Sequence, residues 1–397
     1  MNYHRQPARL MFKVVLSLVT IVSFVTLTKA QSGTLGTLTS FTDSSGLHVY
    51  YLGVDSHVHQ LWEQNGYQWP DENLTAEAGG PLAKGFFTSF SDATGEHVYY
   101  VGEDSHVHQL CWNGYTEFDQ DLTAGTVGAI PVQPNTYLTS FSDVSGRHVY
   151  YIGNDFHIHQ LYWNWRGIQE PDEDLTIAAH ALLACASLSG LSDASGEHVY
   201  YFGCVDWHVH QLLWNGQELD RDLTEEAGGP QVALNVSLTS FSDVSGEHVY
   251  YVDRNYGHIH QLWNNGSQQP DEDLTQAAGT RAPGAPWSTN LTGFSDASGE
   301  HVYYLYWAGV FQAWWNGWAE ALEELGSTYG GAWQCHFNGS LTSLSVGTEN
   351  LYYIREDDAH VHKLYWNGSQ ELDDDLTLAA NGVLAMTNAP TPCPFIM

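Results

Sequence analysis

The chain has 397 residues, and 12 lysine and arginine residues stand against 46 aspartate and glutamate residues, giving a formal net charge of −34. Nucleic acids and anionic membrane surfaces are bound by basic patches, so this balance argues against both as partners. The acidic residues recur at fixed places along the chain, which indicates turn and loop chemistry rather than a disordered acidic tail.

The first thirty residues have the layout of a secretory signal peptide. A basic start is followed by Val14 to Leu27, an uncharged and mostly apolar run, and by the small-residue stretch Thr28-Lys29-Ala30. The apolar run is too short for a membrane span, which needs about 20 residues, and no later segment could cross a bilayer. We therefore expect residues 1–30 to be removed, and the mature chain 31–397 to be secreted and extracellular without membrane insertion.

The phrase His-Val-Tyr-Tyr then recurs with a period near fifty residues. Six copies begin at His48, His97, His148, His198, His248 and His301, and a changed seventh copy begins at Asn350. This period, with several short strand signals in each repeat, predicts one propeller blade per repeat. We expect an all-β fold, a seven-bladed β-propeller with four antiparallel strands per blade and repeats beginning near residues 35, 84, 135, 185, 235, 288 and 338.

The second repeat serves as the model blade. Phe87 to Phe90 predicts a first strand, His97 to Val101 a second and His106 to Trp112 a third, with turns at 92–95, 102–105 and 113–114. Asp121-Leu-Thr123 is placed in a weaker fourth strand. With a four-residue turn, strict alternation would put His97 and Gln109 on opposite faces of the blade, unless a bulge or the neighbouring blade reconciles them.

The five cysteines do not form a repeated pattern. Cys185 and Cys204 flank one predicted hairpin and are expected to form a disulfide. Cys335 and Cys393 could close the C-terminal end. Without a CxxC pair, the cysteines indicate no zinc site.

Asn-x-Ser/Thr sequons mark potential glycosylation sites if a eukaryotic secretory pathway makes the protein. They lie at Asn73, Asn235, Asn265, Asn290, Asn338 and Asn367.

Most third strands carry a His-x-His pair, which has two interpretations. The pairs are His57/His59, His106/His108, His157/His159, His208/His210, His258/His260 and His360/His362. Two imidazoles on one strand face, with an aspartate such as Asp104 as third ligand, could share a metal ion. Alternatively, one imidazole sits in the turn and the other packs between blades. We favour the structural interpretation and expect no metal and no cofactor.

A second pattern joins histidine, glutamine and tryptophan in each repeat. Imidazole, carboxamide and indole together provide hydrogen bonds and an apolar stacking surface, the combination that a sugar needs. The candidate carbohydrate-binding residues are His48, Gln60, Trp62, His97, Gln109, Trp112, His148, Gln160, Trp163, His198, Gln211, Trp214, His248, Gln261 and Trp263. The same residues could instead only fill the space between blades and satisfy the backbone.

The repeat resembles that of the fungal-type fucose-specific lectins. The matching segments are His97-Val-Tyr-Tyr100, Val107-His-Gln109 and Trp112-Asn-Gly114, and the similarity extends over all seven repeats. The resemblance implies a propeller with sugar sites between blades. In that family an arginine and a glutamate hold the sugar hydroxyls, and this chain has histidine and glutamine in their places. The family commonly has six blades, whereas this chain has seven repeats.

The sequence therefore predicts a secreted, multivalent carbohydrate-binding protein that is not an enzyme, with glycans or glycoconjugates as partners. The sixth and seventh repeats depart most from the pattern and are expected to have lost their sites. Two alternatives stay open. One is a structural extracellular glycoprotein that forms homo-oligomers, filaments or polymers, and the other is a glycoside hydrolase with two carboxylates.

Overall fold

The computed structural model describes residues 38–233, 236–279, 289–306, 309–315, 320–325, 340–355 and 358–387. The predicted signal peptide (1–30), Asn235, Cys335, Asn338 and Cys393 lie outside these residues. Within the described parts of the chain, no helix is long and apolar enough to cross a membrane.

Seven antiparallel sheets follow one another along the chain, each with its strands as neighbours in chain order, which confirms the predicted seven-bladed β-propeller with four strands per blade. In blade 1 the fourth strand is split into two short pieces. The strands of the seven blades, in order, are β1 Leu38–Thr42, β2 Leu47–Leu52, β3 Val58–Gln64, β4 Tyr67–Gln68 and β5 Glu72–Asn73; β6 Ala83–Asp92, β7 Gly95–Gly102, β8 Val107–Trp112 and β9 Glu117–Asp121; β10 Leu138–Ser142, β11 Gly146–Ile152, β12 Ile158–Asn164 and β13 Glu173–Asp174; β14 Ala184–Asp193, β15 Gly196–Gly203, β16 Val209–Trp214 and β17 Glu218–Asp222; β18 Thr239–Asp243, β19 Gly246–Val252, β20 Ile259–Asn264 and β21 Glu272–Asp273; β22 Leu291–Ser295, β23 Glu300–Tyr306, β24 Gly309–Trp315 and β25 Glu320–Leu325; β26 Leu341–Ser345, β27 Glu349–Ile354, β28 Val361–Trp366 and β29 Glu371–Asp375.

The first strand of each blade contacts the first strand of the next, and β26 contacts β1, so the blades close into a ring. At this closure the hydroxyls of Ser40 and Thr342 are 2.8 Å apart. The segment that follows the last blade also returns to blade 1, where the Met386 amide donates to the Leu52 carbonyl at 2.7 Å. Both ends of the propeller therefore stabilise the junction of blades 7 and 1.

The Val-Tyr-Tyr core of each repeat explains how neighbouring blades pack. Tyr99 and Tyr100 are both fully buried, but alternation sends them to opposite faces of blade 2. Tyr99 belongs to the apolar cluster that contains Val149 of blade 3, whereas Tyr100 belongs to the cluster that contains Leu52 of blade 1. One strand thus fills the interface on both sides of its blade.

The Asp-Leu-Thr segment leads into a short helix, so the placement of Leu122 and Thr123 in the fourth strand is wrong, whereas Asp121 does end that strand. In blade 2 the strand ends at Asp121, whose carboxylate accepts the Ala124 amide at 2.8 Å as an N-cap. Leu122 is buried, and the Thr123 hydroxyl accepts the Val107 amide at 2.9 Å. The motif therefore ties the fourth strand to the start of the third. Six such helices are described: α1 Leu74–Ala78, α2 Leu122–Gly125, α3 Leu175–Ala179, α4 Leu223–Ala227, α5 Leu274–Ala277 and α6 Leu376–Ala380.

Two turns determine which face of the blade each residue of the second and third strands occupies. Gly95 has φ +142°, and a Cβ there would collide with the Trp112 carbonyl, so the first turn requires glycine. The next loop contains five residues, because Val101 pairs with Val107. The expectation that His97 and Gln109 lie on opposite faces assumed a four-residue turn and is wrong. The fifth loop residue places His97 and Gln109 on the same face of the blade without a bulge.

The predicted disulfide between Cys185 and Cys204 is present, with a Cα–Cα distance of 5.1 Å. Cys185 lies opposite Phe202 at the open end of the β14–β15 hairpin. Among the described cysteines, Cys111 is free and buried.

Candidate functional site

The clefts between adjacent blades are the candidate ligand sites, and each is numbered here by the blade that supplies its His-Val-Tyr-Tyr histidine. Cleft 4 shows the arrangement: the Gln211 amide nitrogen is 2.8 Å from His198 Nδ1 and donates to the Tyr200 hydroxyl at 3.2 Å. The Tyr200 hydroxyl donates to Glu247 of blade 5 at 3.0 Å, and Gln211 donates to the same carboxylate oxygen at 2.9 Å. Four polar side chains from two blades thus form one hydrogen-bonded group, which we call the quartet.

The other ring nitrogen of the quartet histidine is held by the first turn of its own blade. His198 Nε2 lies 2.9 Å from the Ser195 hydroxyl and 3.2 Å from Asp193. Because Gln211 donates to Nδ1, the proton of the neutral ring is on Nε2 and points to these acceptors. The pKa of Asp193 is lowered, since hydrogen bonds from the Ser195 hydroxyl and amide outweigh its burial. Both nitrogens are therefore occupied, and the ring is buried.

The quartet is present in five clefts. In cleft 1, burial lowers the pKa of His48. In each of the five clefts, the tyrosine hydroxyl donates to a glutamate that precedes the next blade's His-Val-Tyr-Tyr (or its Asn350 variant), and the glutamine contacts the histidine. The five quartets are His48, Gln60, Tyr50 and Glu96; His148, Gln160, Tyr150 and Glu197; His198, Gln211, Tyr200 and Glu247; His248, Gln261, Tyr250 and Glu300; His301, Gln312, Tyr303 and Glu349.

Blade 6 therefore keeps its quartet, and the loss of its binding site stays a prediction. The prediction relied on the changed third strand, but Gln312 is retained there and still contacts His301. Blade 7 has lost its quartet, with Asn350 and Lys363 in the positions of histidine and glutamine. Lys363 instead donates to Glu63 of blade 1 at 2.8 Å.

Cleft 2 differs because blade 3 supplies Arg147, where blades 2, 4, 5, 6 and 7 supply glutamate. His97 and Gln109 contact each other as elsewhere, and Arg147 Nη1 lies 3.4 Å from His97 Nδ1. The buried Tyr99 hydroxyl has no hydrogen-bond partner among the described residues. The missing carboxylate thus leaves one quartet incomplete.

The five candidate tryptophans do not occupy one equivalent position. Trp62 and Trp263 lie opposite His48 and His248 and share the face of their own quartets. Trp112, Trp163 and Trp214 lie opposite residues 96, 147 and 197, on the other face, which belongs to the preceding cleft. Treating all five as partners of their own histidine is therefore wrong, because one extra residue after the glutamine moves the ring to the opposite face.

Cleft 5 contains a cavity with a volume of about 230 Å³. Its aromatic walls are Trp263 of blade 5 and Trp315 of blade 6, which lies opposite Glu300, and its polar groups include Glu272 and Glu300. Glu300 uses one carboxylate oxygen for its bonds to Tyr250 and Gln261. Its second oxygen makes no hydrogen bond to any described residue, so it can accept one from a ligand.

Clefts 1 and 3 also collect carboxyl groups, and burial together with mutual repulsion raises their pKa values. Burial and the charge of Asp43 raise the pKa of Glu96 to about 7. Burial and the charge of Glu96 raise the pKa of Glu117 to about 8. In cleft 3, burial and the charges of Glu173 and Glu197 raise the pKa of Glu218 to about 7. These carboxyls can donate as well as accept hydrogen bonds near neutral pH.

The glutamate of the quartet was missed by sequence reasoning. It precedes the histidine in Gly-Glu-His-Val-Tyr-Tyr at Glu96, Glu197 and Glu247, and again before His301. That recurrence was visible, but its contact is with the previous repeat, and a single repeat read in isolation cannot show it.

The His-x-His pairs lie elsewhere, at the loop between the second and third strands. In blade 2 the rings of His106 and His108 are 6.5 Å apart. His106 Nδ1 is 2.9 Å from Asp121, and His108 Nε2 is 3.2 Å from Asp104. We call these four residues the loop cluster of blade 2. The third partner predicted for the pair, Asp104, is thus in contact with it.

The described sequons differ in accessibility. Asn265 and Asn367 are exposed in hairpin turns, and Asn73 is half-buried as the N-cap of α1. Asn290 is buried, and its side chain accepts a hydrogen bond from Tyr137, which disfavours a glycan at that position.

No family model and no curated protein matches the sequence. Solved structures with similar folds include a variant of Aleuria aurantia lectin in complex with Fucα1-6GlcNAc, at 10% identity and TM-score 0.50, covering 90% of this chain and 98% of that chain. SapL1 lectin in complex with α-methyl fucoside matches at 15% identity and TM-score 0.48, covering 88% and 96%. The Aleuria aurantia lectin is described as a six-bladed propeller. The predicted resemblance to fucose-specific lectins is thus confirmed as a resemblance of fold.

Proposed function

We propose that this protein is a multivalent lectin that binds glycans in the clefts between its blades. The observation that carries the proposal is cleft 5, in which Trp263 and Trp315 flank carboxylate groups in a cavity of about 230 Å³. Apolar sugar faces stack on indole rings, and sugar hydroxyls need a few well-placed acceptors and donors. Both requirements are met there by residues of two blades.

In this proposal the quartet positions the sugar-binding carboxylate. His248 and Gln261 are buried, so they hold Tyr250 and Glu300 in place more than they face solvent. The free oxygen of Glu300 then accepts a hydroxyl proton, and Trp263 or Trp315 supplies the stacking surface. A carboxylate acceptor gives a charge-assisted bond, which is stronger than a bond to a neutral amide.

The similar solved structures point to a carbohydrate ligand but to no particular sugar. The Aleuria aurantia lectin variant that shares this fold is in complex with Fucα1-6GlcNAc. Because histidine and glutamine replace the arginine and glutamate of that family, we propose carbohydrate as the ligand class and no particular monosaccharide.

Multivalency and secretion belong to the same proposal. Five clefts have the same quartet, and several weak sites on one ring convert modest affinity into avidity for a sugar-coated surface. The Cys185–Cys204 disulfide supports an oxidising, extracellular location. The exposed sequons at Asn265 and Asn367 are compatible with a secreted glycoprotein.

A glycan array with the purified mature protein tests the function. We expect binding that rises steeply with glycan density, as avidity requires. Calorimetry with the best free glycan should then lose one site in Trp263→Ala/Trp315→Ala. The matched control is Trp165→Ala, since Trp165 is 70% exposed outside the clefts.

Three results would contradict the proposal. Absence of binding at high protein concentration and high glycan density would favour the structural glycoprotein, which ultracentrifugation would then show as ordered polymers. An unchanged number of sites in the double variant would place the ligand outside cleft 5. Turnover of reporter glycosides that a single carboxylate substitution abolishes would identify a hydrolase instead.

A further inference from the structure

The loop cluster of blade 2 brings two imidazoles and two carboxylates to one point. Candidate ligand atoms of Asp104, His106, His108 and Asp121 all lie within 4.8 Å of one another. Three of the separations are 2.9, 3.2 and 3.7 Å. Around a tetrahedral zinc ion with bonds near 2.0–2.1 Å, ligand atoms are roughly 3.3 Å apart. The cluster therefore already has the dimensions of a four-coordinate site.

The inner histidine is oriented as metal ligands are. His108 is 4% exposed, and its Nδ1 is 3.0 Å from Asp119, which in turn accepts the Tyr100 hydroxyl at 2.7 Å. A carboxylate on the far nitrogen fixes the tautomer and leaves the Nε2 lone pair facing the site. That nitrogen lies 3.2 Å from the Asp104 carboxylate, close to the separation of two ligand atoms on one zinc ion.

Solvent can reach the cluster, and a hydrogen bond from outside it holds the Asp121 carboxylate in place. Asp104 and His106 are 42% and 27% exposed, so an ion can enter without unfolding the loop. One oxygen of Asp121 caps α2 through the Ala124 amide, and the other faces His106. The cap holds the second oxygen in place for a ligand.

In blade 6 both histidines of the loop cluster and the aspartate behind the inner histidine are replaced. The positions of the outer and inner histidines hold Gly309 and Phe311, and Leu322 stands opposite Ala313 where the aspartate behind the inner histidine would be. The blade nevertheless keeps all four strands. A propeller blade of this chain therefore folds without the cluster, so folding alone does not explain its presence in blade 2.

We propose that the loop cluster of blade 2 is a zinc-binding site, with Asp104, His106 Nδ1, His108 Nε2 and Asp121 as ligands. Two nitrogen and two oxygen ligands in this geometry suit Zn²⁺ and disfavour Ca²⁺, which prefers six to eight oxygens. Blade 7 has the same four residues in Asp358, His360, His362 and Asp375. There Arg355 lies 3.7 Å from Asp358, and its positive charge weakens the site for a cation.

The test is titration of the metal-free mature protein with zinc chloride, followed by calorimetry and by thermal unfolding. Wild type should bind at least one equivalent with micromolar or tighter affinity and unfold at a higher temperature with zinc. Asp121→Asn should remove one equivalent, and it copies Asn73, which caps α1 in blade 1. His108→Phe should do the same and copies Phe311. Cobalt(II) at the site should give the visible absorption of a tetrahedral complex, again absent in both variants.

The matched control is His180→Asn, because the exposed His180 ends α3 and Asn381 ends α6 in the same left-handed conformation. It should leave zinc binding unchanged, and calcium chloride should give no heat. Absence of zinc binding by wild type would overturn the proposal. So would an unchanged number of equivalents in both folded variants, which circular dichroism would verify, since the ion would then sit elsewhere.

Discussion

Two tyrosines at the same position of the second and fourth repeats should respond in opposite ways to removal of the hydroxyl. Tyr200 and Tyr99 are both 0% exposed. The Tyr200 hydroxyl donates to Glu247 at 3.0 Å and accepts from Gln211 at 3.2 Å. The Tyr99 hydroxyl has no partner among the described residues, because Arg147 replaces the glutamate.

The magnitude follows from these partners. A hydrogen bond to a charged group contributes about 1.5–3 kcal/mol, so Tyr200→Phe should lower the free energy of unfolding by about 2 kcal/mol. Tyr99→Phe removes a buried hydroxyl that is desolvated without compensation. It should leave stability unchanged or raise it by about 1 kcal/mol.

Urea unfolding and thermal unfolding of both variants measure the difference. In a domain of this size 1 kcal/mol corresponds to roughly 1–2 °C in Tm, so the two variants should differ by several degrees. Equal shifts, or a larger loss for Tyr99→Phe, would refute the claim that the neighbouring glutamate makes the quartet stabilising.

Further predictions concern pH, the disulfide and the helix motif. The pKa of Glu117 is raised to about 8, so its protonated form stabilises the fold below pH 4.5 and that stability is lost as pH rises through 8. Glu117→Gln should therefore unfold like wild type at pH 5 but be more stable at pH 9, by roughly 1 kcal/mol after solvent screening. A variant Tm below that of wild type at pH 9 would contradict this. Replacing Cys185 and Cys204 by alanine opens a loop with a sequence separation of 19 and should cost about 3 kcal/mol in urea unfolding, with no effect of reductant on the variant. Thr224→Val should cost about 1–2 kcal/mol by the same assay, since it leaves the buried Val209 amide without its acceptor at 2.8 Å; a neutral effect would mean that another acceptor replaces it.

The propeller was predictable because its information is local and repeated. Val98, Tyr99 and Tyr100 identify the second strand in any one repeat, and the period counts the blades. The helix at Leu122 was not recognised, because four or five residues are too few for a helical periodicity. Only the capping role of Asp121 would have indicated it.

The candidate site was less predictable, because it joins side chains of two repeats. Glu247 contacts Tyr200, which lies 47 residues earlier in the chain. Whether a tryptophan faces its own cleft or the preceding one depends on a single residue, as the positions of Trp62 and Trp112 show. The sequence pattern of a strand gives the alternation of its residues between the two faces. The pairing register with the preceding strand depends on the length of the loop between them.

Blades 6 and 7 show that the quartet and the loop cluster occur independently of each other on the same four-stranded sheet. Blade 6 has the quartet of His301 without a loop cluster, and blade 7 has the cluster around His362 without a quartet. Each has been removed naturally with the strands left in place. A designed ring could therefore repeat either kind of blade, or alternate them, so that the number of clefts and the number of clusters are chosen separately.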